Sequence, residues 1–76
     1  MRITEAVQVV GKMTPTIWNL PCVTSAYKTM LGATYLRVET RYDSAVARPR
    51  DWICRFEDGH WDVLTDDEYQ LKLEKQ

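Results

Sequence analysis

Asp58-Gly59 is the part of this sequence that most restricts what the chain can fold into. A two-residue Asp-Gly loop between apolar runs favours a primed hairpin turn, because both central residues then take positive φ. That turn predicts a register over residues 51–64 in which Glu57 faces His60, Phe56 faces Trp61, Arg55 faces Asp62 and Cys54 faces Val63. One face of the hairpin then collects Trp52, Cys54, Phe56, Trp61 and Val63. The other sets Arg55 against Asp62 and Glu57 against His60. One register thus yields both an apolar face and a charge-complementary face, as a half-buried hairpin requires.

The segment after the hairpin carries its own start signal. Thr65-Asp66-Asp67-Glu68 is a capping box, in which Thr65 accepts from the amide of Glu68 and the Glu68 carboxylate reaches back to the amide of Thr65. The acids suit the positive end of a helix dipole, and Glu68 lies four residues before Lys72. A helix over 66–75 is expected, with Tyr69 and Leu73 spaced to dock on a sheet.

Upstream the signals are weaker. Residues 3–10 read as a strand whose alternation is imperfect: Ile3, Glu5, Val7 and Val9 against Thr4, Ala6, Gln8 and Val10, ended by Gly11. Thr14 before Pro15 resembles a helix start, but Pro21 would interrupt a helix through Trp18 and Leu20, so a loop or single turn is expected over 14–20. Val23, Ala26, Tyr27 and Met30 stand at i, i+3, i+4 and i+7, which predicts a helix near 22–31 capped by Gly32. Residues 33–42 alternate well: Leu36, Val38 and Tyr42 point one way, and Arg37, Glu39 and Arg41 the other. A loop follows from Asp43 to Arg50.

These elements predict a single α+β domain over residues 1–76. It has a small, mostly antiparallel sheet of about four strands, one crossing helix and a C-terminal helix. A chain of 76 residues is one domain at most. It is apolar enough to fold, with 45% hydrophobic residues. Ten basic side chains against eleven acidic ones give a net charge of −1, which suits neither a general nucleic-acid coat nor a strongly acidic DNA mimic. No apolar run approaches the roughly 18 residues that cross a bilayer, and the first residues lack the apolar core of a signal peptide. A cytoplasmic protein is expected, with Cys22 and Cys54 as reduced thiols.

Pro49-Arg50-Asp51-Trp52-Ile53, then Asp58-Gly59, a short strand and an acidic helix containing Tyr69, resemble a set of small phage and prophage proteins. Those proteins carry a Pro-Gly-Asp-Tyr/Trp-Ile hairpin and are called PGDYG-like; Glu5-Ala6-Val7-Gln8 also resembles their opening strand. The resemblance covers the first ten and last twenty-eight residues. Arg50 stands where the family has glycine, a departure that bears on any need for positive φ there. The resemblance implies a phage-encoded accessory protein, working in the host cytoplasm, of a kind that binds and blocks a host enzyme or defence complex.

The residues themselves point away from catalysis. Neither Cys22 nor Cys54 has a CxxC partner, and the predicted register sets His60 and Cys54 on opposite faces. His60 reads as a surface histidine opposite Glu57. The acids Glu57, Asp58, Asp62, Asp66, Asp67 and Glu68 lack the spaced Asp/Asn/Gly pattern of a calcium loop, and turn formation and helix capping account for Asp58 and Glu68. No metal, cofactor or enzymatic activity is expected. The residues left for binding are Arg37, Arg41, Arg48 and Arg50 with Tyr35 and Trp18. Arginine and aromatic side chains dominate protein-interface hot spots, so a protein partner is the first expectation. The alternative is a nucleic-acid or nucleoprotein binder that uses the same Arg/aromatic face. A plain solvated face would instead pair these arginines with Glu39, Asp43, Asp51 and Asp62. Trp18, between two prolines, either caps the core or joins the binding surface. The sequence leaves the oligomeric state open.

Overall fold

The computed structural model describes residues 2–10, 17, 19–30 and 34–75. Among these residues the chain forms six strands and a C-terminal helix: β1 (Ile3–Gln8), β2 (Val23–Lys28), β3 (Thr34–Glu39), β4 (Ser44–Ala47), β5 (Trp52–Phe56), β6 (Trp61–Leu64) and α1 (Asp66–Lys75). The strands make two antiparallel three-stranded sheets, in the orders β1-β5-β6 and β2-β3-β4. The α+β class and the C-terminal helix agree with the sequence; the strand count and the crossing helix do not.

The helix predicted near 22–31 is corrected, since Val23–Lys28 is the strand β2. Val23, Thr24 and Tyr27 are better suited to a pleated surface than to a helix. The helical spacing has a specific origin, a register shift between Val23 and Ser25. Val23 pairs with Val38 and Ala26 with Leu36, so residues three apart lie on one face of the strand. The bulge accounts for the i, i+3 pair Val23 and Ala26, whereas Tyr27 faces the other way, opposite Tyr35. The same device explains the poor alternation of β1, where a shift between Ile3 and Glu5 places Ile3 and Ala6 together over Phe56 and Cys54. The loop expected from Asp43 to Arg50 is also corrected, since Ser44–Ala47 pairs with β3 as β4.

The β5–β6 hairpin is present, but its register is one residue from the expected one. Ile53 pairs with Val63, Cys54 with Asp62 and Arg55 with Trp61. The amide of Gly59 donates to the Phe56 carbonyl (2.8 Å), and the amide of Phe56 donates to the His60 carbonyl (2.9 Å). Only Gly59 of the two turn residues has positive φ, at 91°. The connection is therefore a three-residue loop, a tight turn closed by a left-handed glycine. Because strand side chains alternate, that single step exchanges faces along β6. Trp61 and Val63 leave the Cys54/Phe56 face, and Leu64 joins it.

Two apolar clusters result, one on each side of the β1-β5-β6 sheet. Leu36, Val38 and Ala47 from the second sheet pack with Val9, Ile17, Cys22 and Ile53, flanked by Val7, Trp61 and Val63. On the other side Cys54, Phe56 and Leu64 pack with Ile3, Ala6, Trp52 and Tyr69 of α1. The capping box is formed as expected: the Thr65 amide donates to Glu68 Oε1 (2.9 Å), and the Glu68 amide donates to Thr65 Oγ1 (3.2 Å). Tyr69 stacks on Trp52 with ring centroids 3.9 Å apart, Trp52 Nε1 donates to Asp66 Oδ1 (2.9 Å), and Lys72 lies over the Phe56 ring. Leu73, expected to dock, is exposed. Tyr42, expected on the inner face of β3, is also exposed.

Candidate binding surface

Alternation along β3 puts Leu36 and Val38 wholly inside and turns Tyr35 and Arg37 outward. Their neighbours across the ladders face the same way: Tyr27 opposite Tyr35, and Ser25 and Val46 on either side of Arg37. Tyr27 and Tyr35 meet edge to face at 5.7 Å. Tyr27 and Val46 are 47% and 42% exposed. The outer face of the β2-β3-β4 sheet thus carries two tyrosines, a valine and an arginine. Among the described residues no side chain or carbonyl pairs with the Arg37 guanidinium.

The other expected site residues are dispersed. Arg41, after β3, pairs with Asp58 of the β5–β6 turn. Arg48 and Arg50 belong to the turn after β4, where they line separate grooves: Arg48 with Val46, Asp51, Val63 and Glu68, and Arg50 with Gln8, Val10, Thr65, Asp66 and Asp67. Of the expected residues that are described, Tyr35 and Arg37 lie on β3 and share the outer sheet face. Trp18, Gly11, Thr14, Pro15 and Gly32 lie outside the described residues. None of Glu39, Asp43, Asp51 and Asp62 forms an ion pair with an arginine among the described residues. The arginine ion pairs that form among the described residues are Arg41–Asp58 and Arg55–Glu5 (3.3 Å).

His60 is not opposite Glu57. Its ring stacks on Phe56 at 4.7 Å, and Nδ1 meets Asp58, whose carboxylate also accepts from the His60 amide (3.1 Å) and from Arg41. Asp58 therefore ties the β5–β6 turn to the segment after β3. The His60 amide is the main influence holding its carboxyl below the ordinary range, against a smaller opposing effect of burial, with help from the His60 ring and Arg41. His60 and Cys22 line one cavity of about 260 Å³. The Cys22 thiol is buried and makes no hydrogen bond to His60, and burial pushes it up to about 11. Burial pushes the Cys54 thiol up to about 12. Thiols raised in this way are poor nucleophiles at neutral pH. Both cysteines are free.

Among the described residues no helix is long and apolar enough to cross a membrane, and no three His, Cys, Asp or Glu side chains converge as a metal site. No protein-family model, curated protein or solved structure matches the chain.

Tyr27, expected on a helix, and Val46, expected in a loop, join the outer sheet face through pairing with β3, a signal their own segments do not carry.

Proposed function

We propose that the chain is a non-catalytic binding protein that engages a protein partner stoichiometrically through the outer face of the β2-β3-β4 sheet. The observation that carries this reading is the unpaired Arg37 guanidinium set among Tyr27, Tyr35 and Val46. The strand fixes where the Arg37 side chain leaves the sheet, and its planar fork can grip a carboxylate in two places. Tyrosines beside it add rigid apolar area with a polar tip, the composition that dominates interface hot spots. The resemblance to PGDYG-like proteins extends the proposal to an accessory protein of phage type that inhibits a host enzyme or defence complex from within the host cytoplasm.

The same residues could instead stack bases and hold phosphates, and one experiment separates the readings. Tagged chain is used to recover partners from host lysate with and without nuclease, beside the variants Arg37→Glu and Tyr35→Ala. A nuclease-resistant protein recovered by wild type and lost by both variants is the expected result. Recovery that vanishes with nuclease would replace the protein partner by a nucleic acid. Recovery unaffected by either substitution would remove the outer sheet face from the function.

A further inference from the structure

Arg50 is held in a backbone conformation that its own side chain opposes. Residues 48–51 form a tight turn in which the Asp51 amide donates to the Arg48 carbonyl (3.0 Å). Pro49 occupies the second position, and Arg50 occupies the third with φ 81°. A type II turn needs positive φ at that third position, which is why glycine is the usual occupant. Any side chain with a Cβ is strained there. The surroundings impose the strain. The Arg50 amide donates to the Val9 carbonyl (2.8 Å), the Val9 amide donates to the Asp51 carbonyl (2.8 Å), and Gln8 Nε2 donates to the Arg50 carbonyl (3.2 Å). The Asp51 carboxylate also accepts from the Arg48 amide (3.0 Å).

The bonds that hold this turn are ones a glycine would make equally, and the Arg50 side chain adds none with a described residue. Arg50 is exposed, and its guanidinium makes no hydrogen bond or ion pair with a described residue. A glycine would meet every backbone requirement of the turn at lower cost. The arginine side chain therefore has its use outside the chain. It lines a groove of about 720 Å³ between the end of β1 and the start of α1, which Asp66 and Asp67 also line. Asp66 is engaged by Trp52 Nε1, whereas Asp67 has no partner among the described residues. A groove lined by one cation and two carboxylates disfavours a run of phosphates and suits adjacent charges of opposite sign.

We infer that this groove is a second binding site, specific for a polypeptide segment in which an acidic and a basic side chain are neighbours. The acidic side chain meets Arg50 and the basic one meets Asp67. The site is separate from the outer sheet face, so it stands or falls independently of the function proposed above.

The test begins with Arg50→Gly, which keeps the turn and relieves it. Its urea midpoint should rise above wild type; a fall would remove the premise that the backbone is strained. A library of random displayed 12-residue peptides is then selected against immobilised wild-type chain. Enriched peptides should carry adjacent acidic and basic residues, bind Arg50→Gly about tenfold or more weakly, and be weakened by Asp67→Asn. Binding unaffected by Arg50→Gly, enriched peptides without that charge pair, or no enrichment would each overturn the inference. The same protein, ¹⁵N-labelled, is titrated with a single-stranded oligonucleotide. Saturable shifts at Val10, Arg50 and Asp67 would assign the groove to phosphate and overturn the peptide site; no saturable shift there is expected.

Discussion

Gly59 and Arg50 both sit in left-handed backbone, and they differ in what the chain has done about it. At Gly59 (φ 91°) an added Cβ would meet nothing within 4 Å, so any penalty for a side chain there is purely conformational. Gly59→Val should cost more than about 1 kcal/mol, read as a lower urea midpoint, because a β-branched residue tolerates that region poorly. An unchanged midpoint would mean that the turn can re-form without positive φ. The two thiols make a second prediction at this scale. Both are held protonated by burial, at about 11 for Cys22 and about 12 for Cys54, against an ordinary value of 9.0. Because the unfolded thiols ionise first, this contribution to stability is complete below pH 9 and is lost as pH rises through 11 to 12. Iodoacetamide at pH 9 should therefore label the urea-unfolded chain readily and the native chain very slowly. Equal labelling rates would place one or both thiols at the surface.

At the scale of elements, what was legible in the sequence is what depends on local chemistry. The helix α1 starts where the capping box puts it, and Thr65→Ala should lower stability by roughly 1 kcal/mol through loss of the bond to the Glu68 amide. A urea titration measures this directly, and no shift would mean that the helix start is held by Trp52 and Asp66 alone. The β5–β6 hairpin was legible for the same reason, while its register was not. Asp-Gly fits both a two-residue primed turn and the last two positions of a three-residue loop, and one amide decides between them. The larger misreading, a helix for β2, comes from bulges, which add a residue to one strand only and turn a period of two locally into three. β4 left almost no trace. Ser44-Ala45-Val46-Ala47 has a single β-branched residue, and it becomes a strand because β3 offers an edge to pair with. The candidate surface inherits these errors: Tyr35 and Arg37 were visible from the alternation of β3, whereas Tyr27 and Val46 required the neighbouring strands.

Over the whole molecule, β5 is the strand on which both apolar clusters depend. It is central in its sheet, and consecutive residues of it are fully buried on opposite faces: Ile53 toward the second sheet and Cys54 toward α1. A domain this small has little stability to spare, with about 60% of its unfolded surface buried on folding. Ile53→Ala should cost about 2–5 kcal/mol, a large share of the roughly 5–15 kcal/mol that native domains possess. Because the clusters share this strand, they should unfold together. Two tryptophans report on them separately, Trp61 from the cluster between the sheets and Trp52 from the cluster under α1. Fluorescence of Trp52→Phe and of Trp61→Phe isolates the signal of the remaining tryptophan against the common contribution of Trp18. In each variant the fluorescence transition should share its urea midpoint with far-ultraviolet circular dichroism. A Trp52 signal that changes well before the dichroism would mean that α1 and its cluster open as a unit of their own, leaving the two-sheet core behind. Coincident midpoints mean that loss of Ile53 is felt as far away as the stack of Tyr69 on Trp52, through a single strand whose neighbouring residues Ile53 and Cys54 are buried on opposite faces.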